Sequence, residues 1–548
     1  MRRGTSLLVL TLTSVVVAGS VLAVCGTPEP SPSPAPVPAA KRPNVVLVVW
    51  DTVRADRMSL YGYAKPTTPR LDALAKESVV YDRATSTGMW TLPGHAGMFT
   101  GLYETTHGAT GRSKHTMKLD DAFETLAEKL GADGYDTFAF SANIVAGPLA
   151  NLLQGFTTAE TTYPTAAVKK GRYMQAARQA TMRKLIPTDA STELSPAFAG
   201  NTAERWGKAD FKDAAPVAHR ALMDWLGERP GQDKPFFAFL NLMEAHSPRV
   251  PTIESRRKVM SDEAQALALT TDVSVFAENE YIVGKRDYTP AQLDAMGGVY
   301  DAALVDLDDA TGDLVDDLRA KGLLDDTLLI VSSDHGEALG EHRRLEHRFS
   351  VYDQLLHVPL LVRYPAKMPP ARVSDRVTTA DVYATVLDAA GVAPSTPSFS
   401  TSLVGRTTYD RFVFAQMTDP FASQLKSIRE AYPGLSTAAW ERTYCAVYEG
   451  ATKLIYATDG GHQMFDVGSD PAEANDLFPT DKERADALSA ELTRWEHAMP
   501  VLGHATKPGA VPAAPTSPED AEMLEGLGYQ DPGEDAGGPG RSRCTPDP

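Results

Sequence analysis

The sequence predicts an α/β protein: a doubly wound, mostly parallel sheet followed by a small C-terminal antiparallel α+β subdomain. Runs of β-branched and aromatic residues of buried-strand length recur between residues 43 and 365, with helical stretches between them. Two of those runs end in an acid, which is where open α/β sheets present ligand-binding groups. Beyond residue 405, "RFVFAQ" and "TYCAVYEGATKLIYATDGGHQMFDV" read as strands of an antiparallel unit, with "TDGG" as a turn.

Taken in order, "MRR" leads into the apolar run "SLLVLTLTSVVVAGSVLAV" and then Cys25. Residues 1–24 read as an export signal. "LAVC" resembles a bacterial lipoprotein box, so Cys25 is the candidate lipidation site, although Val24 departs from the small residue usual there. An uncleaved membrane anchor is the alternative, since the run is just long enough to span a bilayer. Residues 25–42 form a Pro/Ala/Ser tether that has no core-forming side chains. The main domain follows over 43–404. "PNVVLVVWD" (43–51) reads as a buried strand delivering an acid, and "TPRLDALAKES" (68–78) as a helix with Thr68 as N-cap and Pro69 in the first turn. Further strands are expected at 137–143, 235–243, 327–334 and 358–365, and helices at 212–228 and about 289–321. Residues 145–210 carry few strand signals and a basic cluster (Lys169, Lys170, Arg172, Arg178, Arg183 and Lys184). They read as a solvated helical insertion or as a lid over an anionic substrate. The C-terminal subdomain spans 405–500, and 501–548 is a partly disordered tail that turns Gly/Pro/Asp-rich from 531.

With 43% hydrophobic and 23% charged residues the composition is that of a folded globular protein. The net charge of −18 argues against a nucleic-acid partner, because no basic stripe is available to neutralise phosphates. It is compatible with an anionic substrate held by a local metal. Apart from Cys25 only Cys445 and Cys544 are present, too few for a disulfide framework, and the sequence does not decide whether they pair.

Asp51 and Asp334 end their strands, and His335 follows Asp334 at once. Carboxylates plus imidazole suit a borderline divalent metal such as Zn or Mn, with Ca as the all-oxygen alternative. Singly, an Asp after a strand is a turn or capping residue. The set gains weight beside "WTLPGHAGMFTG" (90–101), where Thr91, Pro93 and His95 stand at the entry to a helix.

Seven segments in order then resemble the sulfatase family of the alkaline-phosphatase-like superfamily. They are "NVVLVVWDTVRADRMSLYGY", "TTPRLDALAKES", "WTLPGHAGMFTGLYETTHG", "PFFAFLNLMEAHSP", "SSDHGEALGEH", "YDQLLHVPLLVRYP" and "DVYATVLDAAGV". "KLIY", "MFDVGSDPAEANDLF" and "LEGLGY" resemble that family's C-terminal part. The resemblance implies a sulfatase-like catalytic domain in which Asp51, Thr91, Asp334 and His335 bind a divalent metal and Thr91 is the nucleophile. His246 and His347 fall where relatives place groups near the transferred or leaving group, His95 completes the catalytic candidates, and His107 is a candidate substrate-binding residue. Thr91 and His95 replace the Cys or Ser and the Arg that formylglycine formation requires, so no formylglycine is expected. Thr52 stands where many sulfatases carry a second metal-binding Asp.

A Thr hydroxyl needs metal assistance to attack at neutral pH, and a sulfated Thr is hard to release, which favours phosphorus over sulfur. Arg54 and Asp56 read as a structural pair, and Glu337, Glu341 and His342 as solvated loop residues or as groups orienting His335. His246 and His347 are also candidate ligands for a second metal. The expected protein is an exported, lipid-anchored hydrolase of a sulfate, phosphate or phosphonate ester of a small molecule, glycan or lipid, in the cell envelope. The alternatives are a phosphoglycerol- or phosphoethanolamine-type transferase at the membrane surface and a non-catalytic envelope binding protein.

Overall fold

The computed structural model describes residues 42–111, 117–162, 214–229, 231–394, 398–418, 421–500 and 543–545. Cys25, the tether, the basic cluster of 169–184 and most of the tail lie outside these residues. The larger sheet and its adjoining ribbon contain β1 (Asn44–Trp50), β2 (Val79–Thr85), β3 (Asp136–Ser141), β4 (Thr158–Thr161), β5 (Phe236–Leu242), β6 (Thr327–Ser332), the ribbon strands β7 (Ala338–Leu339) and β8 (Leu345–Glu346), β9 (His357–Val358), β10 (Leu360–Arg363) and β11 (Ala371–Thr378). Nine of them form one sheet in the order β11-β2-β10-β6-β1-β5-β3-β4, with β9 paired to β2. β1 lies between β5 and β6 and runs parallel to both.

Burial on both faces explains why β1 and β5 lack polar alternation: all seven residues of each are buried. Each large apolar side chain there stabilises the fold by roughly 1.5–3 kcal/mol. Alternate residues of β5 show the two layers. Phe236 meets Trp225, whereas Phe239 meets Phe99. The helices that matter are α1 (Pro69–Leu74), α2 (Thr91–Thr100), α3 (Leu126–Ala132), α4 (Ala214–Glu228), α5 (Pro290–Ala320) and α6 (Asp381–Ala390). α4 and α1 pack on α5, and α3 and α2 pack with α6. α5 starts at a capping box between Thr289 and Gln292 and is fastened to the central strand by Trp50 Nε1 donating to Thr311 Oγ1 at 3.0 Å.

Several expectations are corrected. Pro359 splits the 358–365 strand into β9 and β10, and β10 runs antiparallel to β6 and β2, while the other main pairings are parallel and the sheet is mostly parallel as expected. The start of the expected 145–210 insertion contributes β4, which continues the sheet beside β3. Thr68 occupies the N-cap position without capping, because its hydroxyl accepts from Leu60 N–H and faces Ser59 and Asp72. Glu341 is not a solvated loop residue: it accepts from Arg54 at 2.8 Å, and Arg54 also pairs with Asp56 at 2.7 Å.

The C-terminal region forms the antiparallel order β12 (Phe412–Met417), β13 (Tyr444–Glu449), β14 (Thr452–Ala457), β15 (Gln463–Asp466). α7 (Lys482–Ala498) covers it, placing Leu488 and Leu492 in the cluster with Phe414, Val447 and Leu454. Cys445 on β13 is disulfide-bonded to Cys544, 99 residues away. Glu496 accepts from Cys544 N–H and Thr545 N–H, both at 2.8 Å, so residues 543–545 are fixed to this subdomain.

Candidate active site

The chain leaves β1 at Trp50, and Asp51 therefore emerges between the ends of β5 and β6, its N–H bonded to Leu242 O at 2.8 Å. Thr52 turns with a φ of 65°, a conformation rare for a β-branched residue and characteristic of functional sites. Its N–H approaches Asp334 Oδ1 at 3.3 Å, and its carbonyl is held by Tyr300 Oη at 2.7 Å. Asp334 and His335 follow β6 by two and three residues. The sharp turn is held by Ser333 Oγ, which donates to His335 O at 2.7 Å and accepts from Val53 N–H at 2.9 Å.

α2 brings the third component. Thr91 is its first residue, and the helix lies directly against the end of β6. Gly94 makes this approach possible, because a Cβ there would stand 2.5 Å from Asp334 O. Thr91 Oγ1 lies 3.4 Å from His335 Nε2 and accepts from Asn143 Nδ2 at 3.3 Å. The same amide donates to Asp51 Oδ2 at 2.8 Å, and Asn241 Nδ2 approaches that oxygen at 3.2 Å. Asp51, Thr91, Asp334 and His335 are all fully buried.

This donor set fits a divalent cation. One ligand atom from each of Asp51, Asp334 and His335 lies within 4.8 Å of the others, compatible with metal bonds of about 2.0–2.2 Å. Among the described residues, Asp51 Oδ1 and Thr52 Oγ1 are buried without a hydrogen-bond partner. Asp334 Oδ2 has the imidazoles of His95 at 3.2 Å and His335 at 3.4 Å. His335 Nδ1 faces Gly336 O at 2.9 Å and so carries the proton. Its Nε2 lone pair is left on the side of Thr91 and the carboxylates, as a metal-ligating imidazole requires.

The electrostatics follow from this crowding. Burial, and then the Asp334 charge, push Asp51 up to about 6. Burial acts in the same sense on Asp334, but His335 and His95 outweigh it and hold its carboxyl below the usual carboxylate range. Burial depresses His335. It disfavours the charge on His95 too, yet Asp334 and Asp51 reverse the sign and raise that imidazole.

The remaining candidates fall into three places. His95 is completely buried behind the carboxylates. Its Nδ1 faces Thr91 O at 2.9 Å and Asp334 Oδ2, and its ring packs edge-on against Phe99 and Phe239. It contacts the backbone of Thr91, not the hydroxyl. His347 and His246 form a buried row with His335, with ring centroids 4.6 Å apart for His335 and His347 and 5.1 Å for His347 and His246. His107 lies on the one-turn helix Glu104–His107, where its Nδ1 accepts from Ala109 N–H at 3.1 Å and burial pushes it down to about 3. No hydrogen bond joins it to the Thr91 cluster among the described residues.

Glu337 overturns its expectation as a solvated loop residue. It is fully buried, accepts from His347 Nδ1 at 3.0 Å and pairs with Arg249 at 2.5 Å. Burial, and then the nearby Glu346 charge, push it up to about 8, while burial takes His347 down to about 4. Asn143, Asn241, Arg249 and Glu346 were not singled out from the sequence. Asn143 in "SAN" and Asn241 in "FLNLM" were readable as polar interruptions at the ends of apolar strands, whereas Arg249 and Glu346 carried no signal apart from their charge.

Comparisons with known proteins identify the family. The family model described as Sulfatase matches residues 43–392, and that described as N-sulphoglucosamine sulphohydrolase, C-terminal, matches residues 340–497. The ulvan-active sulfatase of Formosa agariphila is 24% identical over 466 residues, covering 83% of this chain and 81% of that protein. An endo-4-O-sulfatase of Bacteroides thetaiotaomicron is 25% identical over 389 residues, covering 66% and 71%. The phosphonate monoester hydrolase of Agrobacterium radiobacter superposes with a TM-score of 0.61 at 22% identity, over 83% of this chain and 96% of that one. The first family model spans all of the strands and turns that deliver Asp51, Thr91, Asp334 and His335, and the chain belongs to the sulfatase family of ester hydrolases.

Proposed function

We propose that this protein is an exported, metal-dependent hydrolase of phosphate, phosphonate or sulfate esters in which Thr91 Oγ1 is the nucleophile. One observation carries the reading: a buried helix-start hydroxyl converges with two carboxylates, an imidazole and an amide donor at the ends of the central strands. Asp51, Asp334, His335 and Thr91 would hold the cation, which when bound stabilises the developing anion and favours the ionised hydroxyl. Formylglycine plays no part, because a threonine stands at the nucleophile position.

In the reaction, a bond forms from Thr91 Oγ1 to the phosphorus or sulfur and the bond from that atom to the ester oxygen breaks. The proton lost from Thr91 is balanced by one that the departing alcohol oxygen takes from water beside the His246 and His347 rings. Water then attacks the covalent ester, the Thr91 bond breaks, and the hydroxyl regains its proton. Asn143 steers the Thr91 hydroxyl through its 3.3 Å contact, His95 fixes the helix start and Asp334, and Glu337 sets the His347 ring. Export rests on residues 1–24, with Cys25 as lipid anchor, and is supported by the Cys445–Cys544 disulfide, a bond typical of oxidising compartments.

The test is mass spectrometry of the Thr91 peptide, quenched early in turnover of matched aryl phosphate, phosphonate and sulfate esters. A phosphorylated Thr91 is expected. A sulfated Thr91 would reverse the preference for phosphorus. An active enzyme showing no adduct, with Thr91→Ala close to wild-type rate, would remove the mechanism.

A further inference from the structure

A cleft of about 340 Å³ lies where the loop carrying His347 meets the C-terminal sheet. Its walls include Arg344, Phe349 and Tyr352 from that loop, and Arg442, His462 and Gln463 from the C-terminal subdomain. Two arginines line it, and no Asp or Glu does. That is against the composition of a chain with 71 acidic and 53 basic residues.

The side chains around the cleft offer hydrogen-bond donors more than acceptors. Arg344 has no carboxylate within ion-pair distance among the described residues, and its Nε is buried without a partner. Its backbone is fixed by Gly340 N–H on its carbonyl at 2.9 Å and by its own N–H on Glu341 O at 2.8 Å, so the guanidinium leaves from a defined point. Arg442 shares Asp459 through Nη2 at 3.1 Å, and its Nε is also buried and unpartnered. Tyr352 donates to Gln463 Oε1 at 2.9 Å, which commits that oxygen and leaves the Gln463 amide NH2 as the donor end. Ala457 N–H occupies His462 Nδ1 at 3.1 Å, so a neutral His462 carries its proton on Nε2. An uncompensated guanidinium set among donors is a recognition site for a planar or tetrahedral anion.

The cleft also lies close to the reacting centre. Phe349 is two residues beyond His347, which limits the separation of their Cα atoms to about 7.6 Å at 3.8 Å per step. The Phe349 ring packs 6.0 Å from Phe421, which in turn packs 5.7 Å from Trp90, the residue before Thr91.

We propose that this cleft is a substrate subsite for a second anionic group, a carboxylate or a sulfate, carried by the same molecule as the scissile ester. Arg344 is its principal contact and Arg442 its second. The preferred substrates are therefore polyanionic esters, with the charge not cleaved held against the C-terminal subdomain. The inference rests on the hydrolase reading above for the scissile ester, but its test reads binding separately from turnover.

Two disaccharide esters serve as probes, identical except that one carries a free uronate and the other its methyl ester. Binding is measured by calorimetry to the full-length Thr91→Ala protein, which does not turn them over. The free uronate is expected to bind about tenfold more tightly, with the preference shrinking between 50 and 500 mM NaCl. Adding Arg344→Gln should abolish the preference, Arg442→Gln should reduce it, and Arg344→Lys should keep most of it. Replacing the uronate with a second sulfate in a third probe shows which anion is preferred. Equal binding of the two probes, or a preference that survives both Gln variants, would overturn the subsite. Melting curves identify a misfolded variant, and the Lys variant and the salt series then decide the outcome. If wild-type protein hydrolyses no ester but still prefers the charged probe through Arg344, the hydrolase reading fails and the subsite stands.

Discussion

Two buried ionic clusters in this molecule are alike in burial and opposite in design. At the candidate active site, Asp51, Asp334 and His335 stand together with Asp51 Oδ1 and Thr52 Oγ1 unpartnered. At the junction with the C-terminal sheet, Lys453 Nζ binds Asp353 Oδ1 at 2.8 Å and Glu473 Oε1 at 2.7 Å. Tyr448 Oη donates to the same Asp353 oxygen, and Asp353 N–H donates to Glu473 Oε2. None of these junction atoms is left buried without a partner. The first cluster carries an excess of negative charge that something must neutralise. The second is a closed strut. Burial and charge do not separate site from scaffold here; the state of the oxygens does.

The largest effect that breaks the symmetry is on turnover. Thr91→Ala removes the attacking oxygen and should lower kcat by about 10⁴-fold or more, as loss of a covalent nucleophile does. Steady-state assays on the aryl ester panel check it, and Thr91→Ser should retain measurable activity. At the strut the effect falls on stability. Lys453→Met leaves Asp353 and Glu473 buried side by side without their cation and should cost about 3–5 kcal/mol in a denaturant titration. Turnover at low temperature should change little so long as the subdomain stays docked.

The sequence foretold these two clusters unequally. Asp51 was legible because it closes an unbroken apolar run, Asp334 because it follows the apolar run "LLIV" after two serines and precedes His335, and Thr91 because Pro93, Gly94 and an apolar helix follow it. Lys453, Asp353 and Glu473 were not, since their partners lie 20 and 100 residues apart and each reads alone as an ordinary surface charge. β2 was missed because Asp82 and Arg83, both only partly buried, interrupt its apolar run in mid-strand. β4 was missed because it is four residues long and three of them are half exposed. Asn143 and Asn241 were passed over because an amide has no charge to draw notice, yet both hold Asp51. The disulfide could not be deduced from Cys spacing, since the chain that joins Cys445 to Cys544 is long enough to allow either outcome.

Opposite signs of stability change sharpen the comparison. With metal removed by EDTA, Asp51→Asn should stabilise the protein by about 1–3 kcal/mol, because a buried carboxylate beside Asp334 becomes a neutral amide that still accepts from Asn143. Asp353→Asn should instead destabilise it, since Lys453 loses a partner. Adding Zn or Mn back to EDTA-treated wild type should raise its melting temperature, with a much smaller shift in Asp51→Asn. Thermal melts of the three proteins with and without EDTA read all of this. A wild type indifferent to EDTA and to added metal would remove the cation from the account of this site.

The smallest predicted effect concerns a residue placed between the two designs. Glu337 is a fully satisfied carboxylate like those of the strut, held by Arg249 at 2.5 Å, but its other oxygen faces His347 Nδ1 at 3.0 Å beside the reacting centre. If it acts by setting the His347 ring, then Glu337→Ala should lower kcat by about 10–100-fold with KM within twofold, the range expected for loss of an orienting carboxylate. Glu337→Gln keeps an acceptor oxygen for His347 and should recover most of that loss. A purely structural carboxylate would give a different pattern. Both variants would then lower the melting temperature through the stranded Arg249, and kcat per folded molecule would stay near wild type. The kcat-against-KM split, measured beside the melting curve of each variant, therefore decides whether Glu337 belongs with the site or with the scaffold.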